Sequence, residues 1–444
     1  MVRINVTYDL RLFILLQVVC TLSSCVATRY KIEKTPLGKY FAEHPVFKES
    51  HSGLLVYDID ESEVLFDHNS QRSFTPASNT KLLTYLATVK MMKDSVPSIE
   101  YCLMDDTLFF TGTGDPTLLH RNFEYGKTID FLSKHLGQIV YIERPMDDKR
   151  FGPGWAWDDY PYYFSAEKAS FPIYGNMVRF GKEAPGDLLD VTPIHFQDYL
   201  SIVQEKSVEG HRIDRDELKN EFRLTFDGNP AKINREVPFI YSDELFVKLL
   251  SDTLKKKVLK SSHFPDCSPI ALHSVPTDSV SKYILMDSDN FLAEQMLLVI
   301  SGQSGDTLSS GKAIQKVLEN LLSKEQAQIF WVDGSGLSRY NRITPNAMVS
   351  ILKKLYVEVP KDKLFRLLPE SGSSGTLKTS FPGLSGKIHA KTGSMRHVYN
   401  LSGYLETNSG KILLFSFMNN NFNVSFNEMK REMEKVLTVF VTDN

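Results

Sequence analysis

Apolar side chains at Leu82, Leu83, Leu86 and Val89 recur at the period of one helical face, directly behind Thr75-Pro76-Ala77-Ser78-Asn79-Thr80-Lys81. Pro76 lies just upstream, so the spacing predicts an amphipathic helix with Ser78 in its first turn. Lys81, three positions on, then shares the face of Ser78. A serine hydroxyl is a weak nucleophile until a base takes its proton. A lysine can be that base only when burial or a second cation depresses its pKa. Unpaired N–H groups at the helix start would stabilise negative charge developing beside Ser78. Ser-x-x-Lys alone arises by chance in chains of this length, so the pair needs partners elsewhere.

With 444 residues the chain has room for two or three domains. A hydrophobic content of 42%, a charged content of 24% and a net charge of -3 carry no polyanion-binding bias, which argues against nucleic acid as a partner. Residues 1–25 differ in character. Arg3 and Arg11 precede the apolar run at residues 12–19, and Leu22-Ser23-Ser24-Cys25 follows. The run is too short to span a bilayer comfortably and reads as a secretory signal peptide. Its end resembles a bacterial lipobox, which implies cleavage before Cys25 and a lipid on that cysteine; the alternative is an ordinary signal peptide. Cys102 and Cys267 would then be the cysteines left in the mature body. An oxidising compartment permits a disulfide between them, and two free buried thiols are the alternative. No His-Glu-x-x-His or Cys-x-x-Cys occurs, so no metal site and no cofactor is expected.

Along the chain, residues 53–66 read as a β-hairpin leading into the Ser78 helix. Residues 101–104 and 108–110 read as strands, followed by a turn at Gly112-Thr113-Gly114-Asp115-Pro116-Thr117. Gly-x-Gly-x-x-Gly fails there because Thr117 stands at the third glycine, and the Gly305 to Lys312 segment has the wrong spacing for a P-loop. Trp155, Trp157, Tyr160, Tyr162, Tyr163 and Phe164 crowd together around Asp158 and Asp159; a core cluster is the default expectation and a substrate groove the alternative. An amphipathic helix is expected over residues 243–258, and a buried one over residues 291–300. Residues 387–392 alternate like a strand, and residues 401–405 pair with 412–418 through Asn408-Ser409-Gly410. Ser425-Phe426-Asn427-Glu428 is a capping-box pattern ahead of a final helix. Hairpins and helices at both ends imply one α+β domain interrupted by an insert.

Two further groups supply the partners of Ser78. Ser288-Asp289-Asn290 opens a helix, and Lys391-Thr392-Gly393 lies on a strand beside a hairpin. The ordered trio Ser-x-x-Lys, Ser-x-Asn and Lys-Thr-Gly resembles the signature of penicillin-binding proteins and serine β-lactamases. Ser288 follows Ser78 by 210 positions and Lys391 follows Ser288 by 103, a far longer first interval than class A β-lactamases have. With the blocks Gly114-Asp115-Pro116-Thr117-Leu118, Asp333-Gly334-Ser335-Gly336-Leu337-Ser338-Arg339 and His389-Ala390-Lys391-Thr392-Gly393-Ser394, the chain resembles the D-alanyl-D-alanine carboxypeptidase/endopeptidase family, the low-molecular-mass class C penicillin-binding proteins.

The resemblance implies an α+β penicillin-binding-protein/serine β-lactamase-like domain, an antiparallel sheet with flanking helices, split into residues 26–90 and 266–444. Between these parts lies a mostly β insert over residues 91–265. It implies that Ser78 attacks a D-Ala-D-Ala carbonyl with Lys81 as general base, kept neutral by the nearby cation of Lys391. Ser288 would relay a proton to the leaving amine, and Asn290 would orient Lys81 and the substrate amide. The N–H groups of Ser78 and Ser394 would form the oxyanion hole, and Thr392, Gly393 and Ser394 would bind substrate. The implied partners are peptidoglycan stem peptides and β-lactams, with a membrane met only through the lipid on Cys25. A serine β-lactamase and a non-catalytic cell-wall binding protein are the alternatives. Asp333 and Arg339 are expected to form a structural ion pair or turn rather than to act in catalysis.

Overall fold

The computed structural model describes residues 35–442 apart from 125, 185–186, 206–209, 229–231, 304 and 306. The expected leader and Cys25 lie outside the described residues. The chain opens with α1 (Pro36–Glu43), α2 (Pro45–Lys48), the hairpin β1 (His51–Asp58) and β2 (Glu63–His68), and α3 (Lys81–Met91). The insert holds β3 (Ser95–Met104), β4 (Thr107–Gly112), α4 (Lys127–Lys134), β5 (Gln138–Ile142), β6 (Met177–Lys182), β7 (Asp190–Thr192), β8 (Leu200–Gln204), β9 (His211–Arg215), β10 (Phe222–Phe226), β11 (Ile233–Pro238), α5 (Asp243–Leu254), β12 (Val258–Ser261) and β13 (Ile270–Pro276). Then come α6 (Thr277–Met286), α7 (Asn290–Gly302), α8 (Ser310–Asn320), β14 (Ile329–Phe330), β15 (Arg342–Ile343), α9 (Pro345–Glu358), α10 (Lys361–Leu367), β16 (Ile388–Met395), β17 (Val398–Glu406), β18 (Ile412–Asn420) and α11 (Phe426–Thr442).

The two ends of the chain meet in one antiparallel sheet of order β16-β17-β18-β1-β2, with Leu54 opposite Phe417. Its central strands β17 and β18 are buried nearly throughout because both faces are covered. Leu55, Tyr404, Leu414 and Met418 face a core shared with α3, α8 and α9. Their neighbours Leu54, Val56, Leu401, Leu413 and Phe415 face a second core shared with α1 and α11. Burial of each such side chain contributes about 1.5–3 kcal/mol. At the start of α11, the Glu428 N–H donates to Ser425 Oγ at 3.2 Å, as the capping pattern predicts.

Three expectations are corrected. The helix carrying Lys81 is not amphipathic: residues 81 to 88 of α3 are all buried, because α6, α7 and α9 pack around it. The helix expected over 243–258 stops at Leu254, where Lys255 turns left-handed at φ 53° and Val258 joins β12. The aromatic run is no core. Trp157, Tyr162 and Tyr163 are 76%, 54% and 66% exposed. Asp158, Asp159 and Pro161 break that run into short 3-10 turns, at Trp157–Asp159 and Tyr163–Ser165, which offer no continuous face to bury.

The insert contains a five-stranded mixed sheet of order β12-β5-β4-β3-β13 and two three-stranded sheets, β8-β10-β9 and β11-β6-β7. Pairing of β13 with β3 brings residues 270–276 back to the strand that opens the five-stranded sheet. One apolar cluster joins the three sheets. A smaller cluster, with Val96, Met177, Ile284, Phe291 and Met296, ties the insert to α6 and α7. Cys102 on β3 and Cys267, just before β13, form a disulfide across 165 positions, stapling the entry of the insert to its exit. Such a loop constrains the unfolded chain strongly, so Cys102→Ser with Cys267→Ser should cost about 2–5 kcal/mol. A denaturant midpoint unmoved by the double change would show that the staple contributes nothing.

Candidate active site

Ser78 stands in the 3-10 turn Ala77–Thr80, which feeds directly into α3. Ala77 adopts φ 47°, a left-handed conformation costly for a residue with a side chain. The surroundings hold it there. Thr80 Oγ1 donates to the Ala77 carbonyl at 2.9 Å, and the Asn400 and Asn420 amides donate to the Thr75 carbonyl at 2.9 and 3.3 Å. Asn79 Nδ2 donates to the Lys391 carbonyl at 3.0 Å, joining the turn to β16.

Lys81 is fully buried, and its Nζ contacts three oxygens: Ser78 Oγ at 3.0 Å, Asn290 Oδ1 at 2.6 Å and the Ser335 carbonyl at 2.7 Å. Burial is the first cause pushing its pKa down, to about 8; the charges of Asp333, Asp289 and Glu294 oppose that shift. A neutral amine has two N–H donors and one lone pair. Asn290 Oδ1 and the Ser335 carbonyl accept from the two donors, which leaves the lone pair for the Ser78 hydroxyl. The same contact that an ammonium makes as donor therefore becomes, in the neutral amine, the path for taking a proton from Ser78.

Ser288 sits just ahead of α7 at φ 61°, also left-handed, and Asp289 caps the helix by accepting from the Leu292 N–H at 2.9 Å. Asn290 follows as the first helical residue, its Nδ2 held by the Phe164 carbonyl at 2.9 Å. The insert thus orients an amide that touches Lys81. Lys391, on β16 and fully buried, donates to Ser288 Oγ at 2.9 Å and to the Thr392 carbonyl at 3.1 Å. Its pKa lies well below the usual lysine range, first through burial and then through the charge of Lys81. Electrostatic pairing of the lysines is thus present, yet burial ranks first for both. Burial, rather than the charge of Lys391, is the first cause of the depressed Lys81 pKa.

Thr392 is buried, its hydroxyl 2.8 Å from that of Thr376, whereas Ser394 is exposed at the end of the same strand. Gly393 explains why β16 comes so close. A Cβ there would lie 2.4 Å from the Pro76 carbonyl oxygen and 3.1 Å from the Asn79 nitrogen. The structure therefore joins Ser78, Lys81 and Asn290 in one hydrogen-bonded group and Ser288, Lys391 and Thr392 in a second, linked through Asn79 and the Lys391 carbonyl, with Gly393 packed under the serine turn.

Residues that the sequence marked as a family block, without a role at the site, complete the group. The Asp333-Gly334-Ser335-Gly336 run, legible only as a turn, threads between α7 and the Ser78 turn. Thr84 Oγ1 donates to the Gly334 carbonyl at 2.6 Å. Gly336, at φ 79°, passes so close that a Cβ would sit 2.0 Å from the Ala77 carbonyl oxygen. Asp333 proves to be the hub of this turn, not a partner of Arg339: it accepts from Gly336 N, Ser338 N, Asn341 Nδ2 and Trp155 Nε1 at 2.6 to 2.9 Å.

A family model described as the D-Ala-D-Ala carboxypeptidase 3 (S13) family matches residues 34–443. The chain is 24% identical over 410 residues to D-alanyl-D-alanine carboxypeptidase DacB of Haemophilus influenzae, covering 83% of this chain and 85% of that protein. It also resembles the crystal structure of penicillin binding protein 4 (dacB) from Haemophilus influenzae, with a TM-score of 0.70 at 20% identity, over 91% of this chain and 97% of that one. The same protein complexed with a novel β-lactam aligns with a TM-score of 0.65 at 19% identity, over 91% and 97% of the two chains. With nearly the whole described chain matched, the protein belongs to the D-Ala-D-Ala carboxypeptidase 3 (S13) family of serine peptidases.

Proposed function

We propose that the protein hydrolyses D-Ala-D-Ala bonds of peptidoglycan stem peptides, as carboxypeptidase, endopeptidase or both, through an acyl-enzyme on Ser78. The observation that carries this reading is the oxygen cage of Lys81, which fixes two N–H donors and points the lone pair of a neutral amine at Ser78 Oγ. Ser78 Oγ attacks the carbonyl carbon while its proton passes to Lys81 Nζ. The N–H groups of Ser78 and Ser394 stabilise the oxyanion, a role supported by the close seat of Gly393 beneath the serine turn. The C–N bond then breaks as the proton taken up by Lys81 passes by way of the Ser288 hydroxyl, itself hydrogen-bonded to Lys391, to the leaving amine, which leaves Lys81 neutral again. Thr392 and Ser394 hold the substrate carboxylate beside Lys391. Water then attacks the ester carbon while its proton passes to Lys81 Nζ, and the C–Oγ bond breaks as that proton returns to Ser78 Oγ. A β-lactam enters the same first step, its ring amide opening onto Ser78; the β-lactam complex of the Haemophilus influenzae relative supports this. Membership of a carboxypeptidase family favours a peptidase over a β-lactamase, and the intact Ser78, Lys81 and Ser288 group disfavours a purely binding role.

The leader-like residues 1–25 and the Cys102–Cys267 disulfide support export to an oxidising compartment, with Cys25 as the lipid-bearing residue. In cells fed a clickable fatty acid, the protein should take up label, and Cys25→Ala should remove it; label retained by that variant would exclude the anchor.

Ser78→Ala should abolish both D-alanine release from a pentapeptide and covalent labelling by penicillin, with the fold intact by circular dichroism. Label persisting on the folded variant would place the nucleophile elsewhere. Because only the neutral amine of Lys81 accepts the proton, acylation should rise with pH through about 8 and fall as acid converts Lys81 to ammonium. A profile flat from pH 6 to 9 would contradict the lysine base.

A further inference from the structure

Glu294 lies one helical turn beyond Asn290 on α7, fully interior, and touches no substrate-facing group. Its Oε1 accepts from the Ser335 N–H at 2.7 Å. The carbonyl of that same residue, Ser335, accepts from Lys81 Nζ at 2.7 Å. One face of α7 therefore reaches Lys81 twice, directly through Asn290 and through the Ser335 peptide by way of Glu294.

The second oxygen of Glu294, Oε2, meets no hydrogen-bond donor among the described residues. The charged groups around it are Asp333 from the following loop, Lys81 from α3, and Lys168 from the insert, which is ion-paired with Asp148. Asp289, on the loop that opens α7, also acts on Lys81. Asp333 accepts four hydrogen bonds. A second bare carboxylate beside it, with one oxygen unpartnered in a dry interior, would be strongly disfavoured. Burial first and the Asp333 charge second raise the Glu294 pKa to about 7, against the opposing charge of Lys168 and hydrogen bonds from Ser335 and Gly334.

We infer that Glu294 is a positioning residue that holds the Ser335 carbonyl on Lys81, and that its negative charge retards the base. When Glu294 loses its proton, its negative charge stabilises the nearby ammonium of Lys81, so the neutral amine appears only at higher pH. The inference rests on Lys81 serving as the base proposed above.

The test is the rate of acylation by a chromogenic cephalosporin against pH, for the full chain and for Glu294→Gln and Glu294→Ala. Glutamine keeps an acceptor for the Ser335 N–H but never ionises, so its rising limb should move to lower pH by about half a unit or more. Alanine leaves the Ser335 N–H bare, and acylation should fall on the order of tenfold at every pH. Glutamine should restore most of that loss. If the Glu294→Gln profile superimposes on that of the natural protein, or if glutamine is as impaired as alanine, the inference is overturned. Should Glu294→Ala not fold, the comparison of Glu294→Gln with the natural protein decides alone. A natural protein without a rising limb would instead sink the lysine base, so the two failures are distinguishable.

Discussion

A buried amine held by three oxygens is the interaction on which the rest of the site depends. Lys81 Nζ has two fixed acceptors, an amide oxygen on α7 and a backbone carbonyl in the 333–338 loop, and one contact with Ser78. Taking an ammonium out of water costs several kcal/mol even after relaxation. Hydrogen bonds offset part of that cost, and the remainder appears as a pKa lowered to about 8, where an amine can exchange a proton near neutrality. Every element around the site serves to keep that amine dry. Residues 81 to 88 of α3 are buried on all sides, and Lys391, the other amine of the site, is equally enclosed.

Close approach of backbone to backbone is the second requirement, and glycine supplies it where a side chain cannot fit. Gly393 lets β16 lie against the Pro76 carbonyl, and Gly336 lets the 333–338 loop lie against the Ala77 carbonyl. The Ser78 turn is thus gripped from two directions. Its left-handed Ala77, like the left-handed Ser288, is held by these neighbours rather than by local preference. The insert contributes as well, since the Phe164 carbonyl fixes Asn290 and Trp155 Nε1 donates to Asp333.

Much of this was legible in the sequence, for physical reasons that also mark the limit. Ser78, Lys81, Ser288, Asn290 and Lys391 stood out because their side chains carry distinctive chemistry at fixed local spacings. The hairpin at residues 401–418 and the terminal helix were legible because apolar periodicity reports a covered face. The Ser335 carbonyl was not legible, since a backbone acceptor leaves no mark on residue identity. Glu294, beside Gln295 in an apolar helix, carries no distinctive spacing, and only packing against the Ser335 N–H gives it a role. The pairing of Cys102 with Cys267, and the return of β13 to β3, depend on contacts 165 or more positions apart, beyond any local pattern. The exposed Trp157, Tyr162 and Tyr163 show the opposite failure, where apolar content suggested a core that broken local structure could not form.

The account stands or falls on the state of one amine. Side-chain nuclear magnetic resonance of protein carrying carbon-13 at lysine Cε, with Lys81→Arg to assign the signal, measures it directly. The Lys81 resonance should titrate near pH 8 in the free protein, well apart from the surface lysines. A Lys81 signal that titrates with the surface lysines, near the ordinary value of 10.5, would contradict the claim that burial makes it the base for Ser78.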